Sequence, residues 1–143
     1  MASIVSINIS GKKGVIKQPV DEARLQADFG IAGDAHAGRW HRQISLLSVS
    51  SIEKMRALGA GDLPPGIFAE NITVEGLDVA TLPIGATLQL GECVVEVTQI
   101  GKECHRHCEI YKKVGNCVMP KEGIFAVVHK GGVIHPGDAI KVL

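Results

Sequence analysis

Aromatic side chains are scarce in this sequence, with one tryptophan, one tyrosine and three phenylalanines in 143 residues. So few rings do not make a platform on which successive bases stack. An excess of charge of either sign is also missing, because 15 lysines and arginines face 15 aspartates and glutamates and the formal net charge is zero. This balance gives no bulk attraction to nucleic acid or anionic lipid, and leaves a small anion in a local basic pocket as the charged ligand the sequence allows. No apolar run approaches the roughly 20 residues of a membrane span, so no membrane partner is expected. The opening MASIVSINISGKKG lacks a basic leader and breaks its apolar residues with serine, so it does not read as a secretory signal. The four cysteines fall well below the density of a disulfide scaffold, and three lie close together, which points to free thiols in a reducing cytoplasm. A nucleophile-elbow serine, a glycine-rich dinucleotide fingerprint and a phosphate-binding loop are absent, and with them the usual signals of hydrolases, dehydrogenases and NTPases.

What is present reads as an ordinary globular domain, with 45% hydrophobic and 21% charged residues. Residues 1–143 are expected to form a single domain, long enough to bury roughly two thirds of its unfolded surface. Ile4 to Ser10 alternates as a strand, with Val5, Ile7 and Ile9 on one face and Ser6, Asn8 and Ser10 on the other. Glu22 to Phe29 alternates again and predicts a second strand. Ile44 to Val49 suits a buried strand, and Ser50 to Glu53 forms a capping-box pattern that predicts a helix with Ile52, Met55 and Leu58 on its apolar face. Ile67 to Val74 is compatible with a helical turn passing into a strand, and its pattern does not decide between helix and strand. Thr87 to Leu90 and Cys93 to Ile100 read as a hairpin about Gly91-Glu92, with Cys93 a small buried hydrophobe sharing parity with Val95, Val97 and Gln99. Ile124 to Val128 and Asp138 to Val142 complete a set of short strands bounded by glycine or proline. One helix among so many strands predicts a small barrel or a closed, mainly antiparallel sheet.

Chemistry concentrates in two places. The stretch from Gly30 to Gln43 carries three glycines and no apolar periodicity, and holds Asp34, His36, Arg39, His41 and Arg42. It is either a solvated surface loop or an anion-binding or substrate loop. Lys102 to Asp138 holds three of the four cysteines and four of the six histidines. Within it, Cys104-His105-Arg106-His107-Cys108 has thiolate and imidazole groups at a spacing that zinc accepts, but no matching second pair lies elsewhere, which favours free or packing thiols. Cys117 has Lys112, Lys113 and Lys121 within five residues, cations that favour a reactive thiolate if they fold toward it. The alternative for Cys117 is a buried, inert thiol.

Taken in order, GDAHAGRWHRQISLLS (33–48), FAENI (68–72), LPIGATLQLG (82–91) and GKECHRHCEIYKKVGNCVMPKEGIFAVVHKGG (101–132) resemble a stand-alone MOSC domain, the family named for the C-terminal domain of molybdenum-cofactor sulfurases. The resemblance covers nearly the whole chain. It implies a mainly β, small barrel-like fold related to the barrel domain of pyruvate kinase, with one or more short helices. It also implies molybdenum-cofactor (molybdopterin) binding or sulfur transfer through a cysteine that ligates molybdenum or carries a persulfide. Cys117, in VGNCVMP, is the first candidate for that catalytic and metal-ligating thiol and Cys108 the second; a thiol following directly on a strand would be Cys104 or Cys108. For the cofactor's phosphate the chemistry suggests His36, Arg39, Arg42, Arg106 and Lys121. Larger relatives carry a pyridoxal-phosphate cysteine desulfurase domain or an added N-terminal barrel domain. The expected partner is therefore a separate desulfurase or a molybdoenzyme. Two other activities fit the resemblance or the residues: reduction of N-hydroxylated compounds with bound cofactor, and a non-catalytic binding module with structural cysteines.

Overall fold

Short β-favouring runs divided by glycine and proline leave the chain little choice but a sheet that closes on itself. A computed structural model describes residues 2–12, 15–57, 66–101 and 122–143. Its strands are β1 (Ala2–Ile9), β2 (Gln18–Val20), β3 (Ala23–Gln26), β4 (Gly30–Ile31), β5 (Ile44–Ser48), β6 (Ile72–Glu75), β7 (Thr87–Leu90), β8 (Cys93–Ile100), β9 (Ile124–Lys130), β10 (Gly132–Ile134) and β11 (Ala139–Val142). The helix α1 (Val49–Ala57) follows β5 directly, and a 3-10 turn spans Val79–Thr81. The order β11-β7-β8-β9-β5-β6-β1 is closed by pairing of β1 with β11, so seven strands make a barrel, with β2 added outside on β1. A three-stranded sheet, β10-β3-β4, stands beside it. Among the described strands only β5 and β6 pair in parallel, which needs a crossover connection, and α1 lies in that connection.

The barrel interior is filled by fully buried Ile7, Ile44, Leu46, Ile72, Leu88 and Val95 with their neighbours. Each such side chain contributes about 1.5–3 kcal/mol on leaving water. β5 is buried on both faces because Leu47 turns outward into a second cluster with Ile52 and Met55 of α1, Phe68 and Phe125. Cys93 lies in the interior with no exposure, as its parity predicts. Burial, with the Glu92 and Asp138 carboxylates adding to it, pushes its thiol up to about 11.

Three expectations are corrected. In β1 the register against β6 slips between Ile4 and Ser6, making Val5 an inserted bulge residue. The parity therefore changes along the strand: Ile4 and Ile7 enter the core while Val5 is 39% exposed. The second strand stops at Gln26 and not at Phe29, because Asp28 takes a left-handed φ of 55° and turns the chain into β4. The helix starts at Val49, one residue before the expected cap, and Glu53 pairs with Arg56 instead of reaching back to Ser50.

Polar residues form one buried seam. Asn71, just before β6, receives the Ser45 N–H at 2.9 Å on its side-chain oxygen and donates its amide to Asn8 O at 3.0 Å, so it stitches β5 to β1. Next to it the fully buried Glu70 accepts the Phe68 N–H at 3.2 Å and the Thr73 hydroxyl at 2.9 Å. Burial pushes the Glu70 carboxyl up, against the lowering effect of these bonds.

Candidate functional site

The loop from Gly30 to Gln43 is held at both ends. At its base, a Cβ on Gly30 would stand 2.6 Å from Gln43 O, and the φ of 124° also requires glycine. Gln43 is fully buried, donating to Asp28 Oδ1 at 3.2 Å and accepting the Val128 N–H at 2.9 Å, which fixes the loop to β9. At the other end Asp34 accepts from Lys17 Nζ at 2.7 Å, from His36 N at 3.0 Å and from Ser10 N at 3.2 Å. The Lys17 and Asp34 side chains have no exposure. Burial alone would raise the Asp34 carboxyl. The His36 imidazole, the Lys17 ammonium and the His36 N–H outweigh it and hold the group well below the usual carboxylate range.

Between these anchors the rings and cations stack. His36 and Trp40 lie parallel with centroids 6.4 Å apart, and Trp40 Nε1 donates to His36 O at 2.7 Å. The Arg42 guanidinium sits 5.9 Å from the Trp40 ring centre and 5.2 Å from that of Phe125, in cation–π range of both. Its Nε donates to Gln99 Oε1 at 3.0 Å, and His41 Nε2 meets the same oxygen at 2.8 Å. Asp34 is already paired with Lys17, so the open face of this loop is cationic and suited to a planar anion or a phosphate.

The same place is where the cysteine-bearing residues join the barrel. Gly101, the first residue after β8, donates its N–H to Gly123 O at 2.6 Å and accepts Gln99 Nε2 at 2.8 Å. Glu122 takes the Ser51 hydroxyl at 2.8 Å and Lys54 Nζ at 2.9 Å, tying this end to α1. The points where residues 102–121 leave and rejoin the barrel thus lie together, beside Arg42 and His41.

Of the residues expected from sequence, His36 and Arg42 are brought together by Trp40. Arg39 stands apart, its side chain 88% exposed and 3.9 Å from Asp28. Cys104, Arg106, Cys108, Cys117 and Lys121 lie outside the described residues. Among the described residues no cluster of three or more His, Cys, Asp or Glu side chains forms a metal site, and no helix is long and apolar enough to cross a membrane. Sequence reasoning passed over Trp40, Lys17 and Gln99. The signal for Gln99 was its place as the polar member of an otherwise apolar parity, and that for Trp40 its being the single tryptophan, set in a glycine-bracketed loop.

The MOSC domain model matches the sequence over residues 33–141. No curated protein matches. Among solved structures, the fold is similar to that of the YUAD protein from Bacillus subtilis, with a TM-score of 0.81 at 20% identity over 99% of this chain and 96% of that one. It is also similar to YiiM from Geobacillus stearothermophilus, with a TM-score of 0.78 at 22% identity over 100% and 75% of the two chains. For YiiM from Escherichia coli the TM-score is 0.72 at 18% identity, over 100% and 70%. At these identities the likeness is one of fold.

Proposed function

Since the chain belongs to the MOSC domain family, we propose that it binds the molybdenum cofactor or carries sulfur for it, with a cysteine of residues 102–121 as molybdenum ligand or persulfide site. The family is associated with that cofactor and with sulfur chemistry. The observation that supports the reading is the position of Arg42, laid over Trp40 and Phe125 beside the Gly101–Gly123 junction from which the cysteine-bearing residues depart.

The donor set suits a pterin that carries a phosphate. Arg42 spends only its Nε on Gln99, which leaves its Nη edge for two parallel bonds to phosphate oxygens. His36 Nδ1 makes no hydrogen bond among the described residues but faces Asp34 Oδ2 at 3.7 Å, so this nitrogen serves the Lys17–Asp34 anchor and is not turned to a ligand. Arg39, being exposed, would add charge more than geometry. When bound, the cofactor would supply molybdenum as a soft acceptor for thiolate or sulfide. The chain's own part is to hold the phosphate with Arg42, with His36 fixing the loop through Asp34 and Trp40, and to present a deprotonated thiol, for which Arg106 and Lys121 would add positive charge.

Cys117 is the first choice for that thiol and Cys108 the second. Cys93 is excluded, since its thiol is buried and pushed up to about 11. In the sulfur-carrying form, a separate pyridoxal-phosphate cysteine desulfurase would load the persulfide and a molybdoenzyme would be the destination. The test is to make Cys117→Ala, Cys108→Ala and Cys104→Ala proteins in a cofactor-producing host, then measure bound molybdenum and persulfide. Loss of either in Cys117→Ala alone is expected; full retention there moves the role to whichever variant does lose it.

A further inference from the structure

Gln99 stands at the centre of the loop site without belonging to the loop. The orientation of its amide is fixed by chemistry: Arg42 Nε can only donate and Gly101 O can only accept, so Oε1 faces Arg42 at 3.0 Å and Nε2 faces Gly101 at 2.8 Å. His41 Nε2, 2.8 Å from that same oxygen, must then carry a proton. Two residues 57 and 58 positions away in sequence thus share one acceptor. A register shift late in β8 puts Gln99 there. The β8–β9 register slips between Val97 and Gln99, leaving Thr98 as the extra residue, with its single hydroxyl proton facing His41 O, the nearer acceptor, and Phe125 O at 3.2 Å. Without that slip the alternation of β8 would carry Gln99 on with Cys93, Val95 and Val97, into the barrel.

We propose that Gln99 is the positioning residue of this site: its amide holds the Arg42 guanidinium across Trp40 and Phe125 with the Nη edge free, and ties that orientation to Gly101. The ligand part of this proposal, a phosphate group on Arg42, rests on the reading given under Proposed function; the positioning part does not. An arginine side chain otherwise swings through many rotamers, and fixing it beforehand removes that entropy cost from binding. Gln99 itself touches no ligand and acts through Arg42.

Trp40 is the single tryptophan, so the indole dichroism and emission report on its surroundings and on no other tryptophan. The experiment compares wild type, Gln99→Met, Arg42→Gln and the double variant, first without ligand and then titrated with inorganic phosphate. Without ligand, Gln99→Met is expected to change the indole dichroism as Arg42→Gln does, with no further change in the double variant. With phosphate, Gln99→Met should weaken binding by about tenfold in the wild-type background, the effect of losing one hydrogen bond to a charged group. In the Arg42→Gln background the same change should stay within about twofold, as for a residue that acts through its neighbour. An unchanged indole signal in Gln99→Met, or an equal loss of affinity in both backgrounds, overturns the proposal. If wild type does not bind phosphate while the two single variants share the dichroic change, the anion reading falls and the positioning role stands. Should Gln99→Met fail to fold, Gln99→Asn, one methylene too short to reach both partners, carries the same expectations.

Discussion

Lys17 and Asp34 meet at 2.7 Å with both side chains wholly shielded from water, and this pair fastens the Gly30–Gln43 loop to the barrel. A buried ion pair adds little net stability over an apolar pair, but losing one partner leaves an uncompensated charge. Lys17→Met should therefore cost about 3–5 kcal/mol, read from urea unfolding. Adding Asp34→Asn should restore part of that loss; a double variant no more stable than the single one would refute the account.

Two buried carboxyls set opposite pH dependences. The Asp34 carboxyl is depressed, so its contribution is complete above its unfolded value of about 3.9 and is lost as pH falls toward its folded value. The Glu70 carboxyl is raised, so its contribution is complete below about 4.3 and is lost as pH rises through its folded value. The stability of wild type relative to Glu70→Gln should accordingly fall as pH increases. Denaturant unfolding of both proteins across the acid to neutral range checks this, and a constant difference would count against it.

Gly30→Ala tests the base of the loop. The added Cβ meets Gln43 O at 2.6 Å, and the φ of 124° is costly for any side chain. A loss of about 1–3 kcal/mol is expected, together with a changed Trp40 emission, since Gln43 ends the loop that Trp40 stacks in.

Thiol chemistry separates Cys93 from the other cysteines. With no exposure and a thiol pushed up to about 11, Cys93 should not react with a disulfide reagent in the native protein. Cys93→Ala should leave the native thiol titre unchanged, lower the titre of the unfolded chain by one, and cost about 1–2 kcal/mol as a small core deletion. A drop in the native titre would show that the barrel opens at β8.

Much of the barrel was legible because its signals are local. The hairpin about Gly91-Glu92, the buried run of β5 and the inward parity of Cys93, Val95 and Val97 each sit within a few residues of sequence. The errors came where a distant strand decides. Val5 faces outward because β6 sets the register of β1, and no window around Val5 contains β6. In the site, His36 and Arg42 could be picked by residue type and by their glycine-rich setting. Gln99 could not be ranked, since its bonds to Arg42 and His41 exist only where β8 meets the loop, and that meeting depends on the slip at Thr98. FAENI was legible only as part of a family resemblance. Its physical task, with Glu70 and Asn71 stitching the β1–β6–β5 seam, needed the fold.

The 2.6 Å bond from Gly101 to Gly123 completes the β8–β9 ladder across the base of residues 102–121. In polymer terms, the barrel is closed before those residues are counted. The closure entropy of a loop grows by only about 0.6 kcal/mol for each doubling of its length. A change of length between Gly101 and Glu122 therefore costs the scaffold little through closure entropy, with the Glu122 bonds to Ser51 and Lys54 kept. The two ends of that stretch stay fixed beside Gln99 and Arg42 whatever its length.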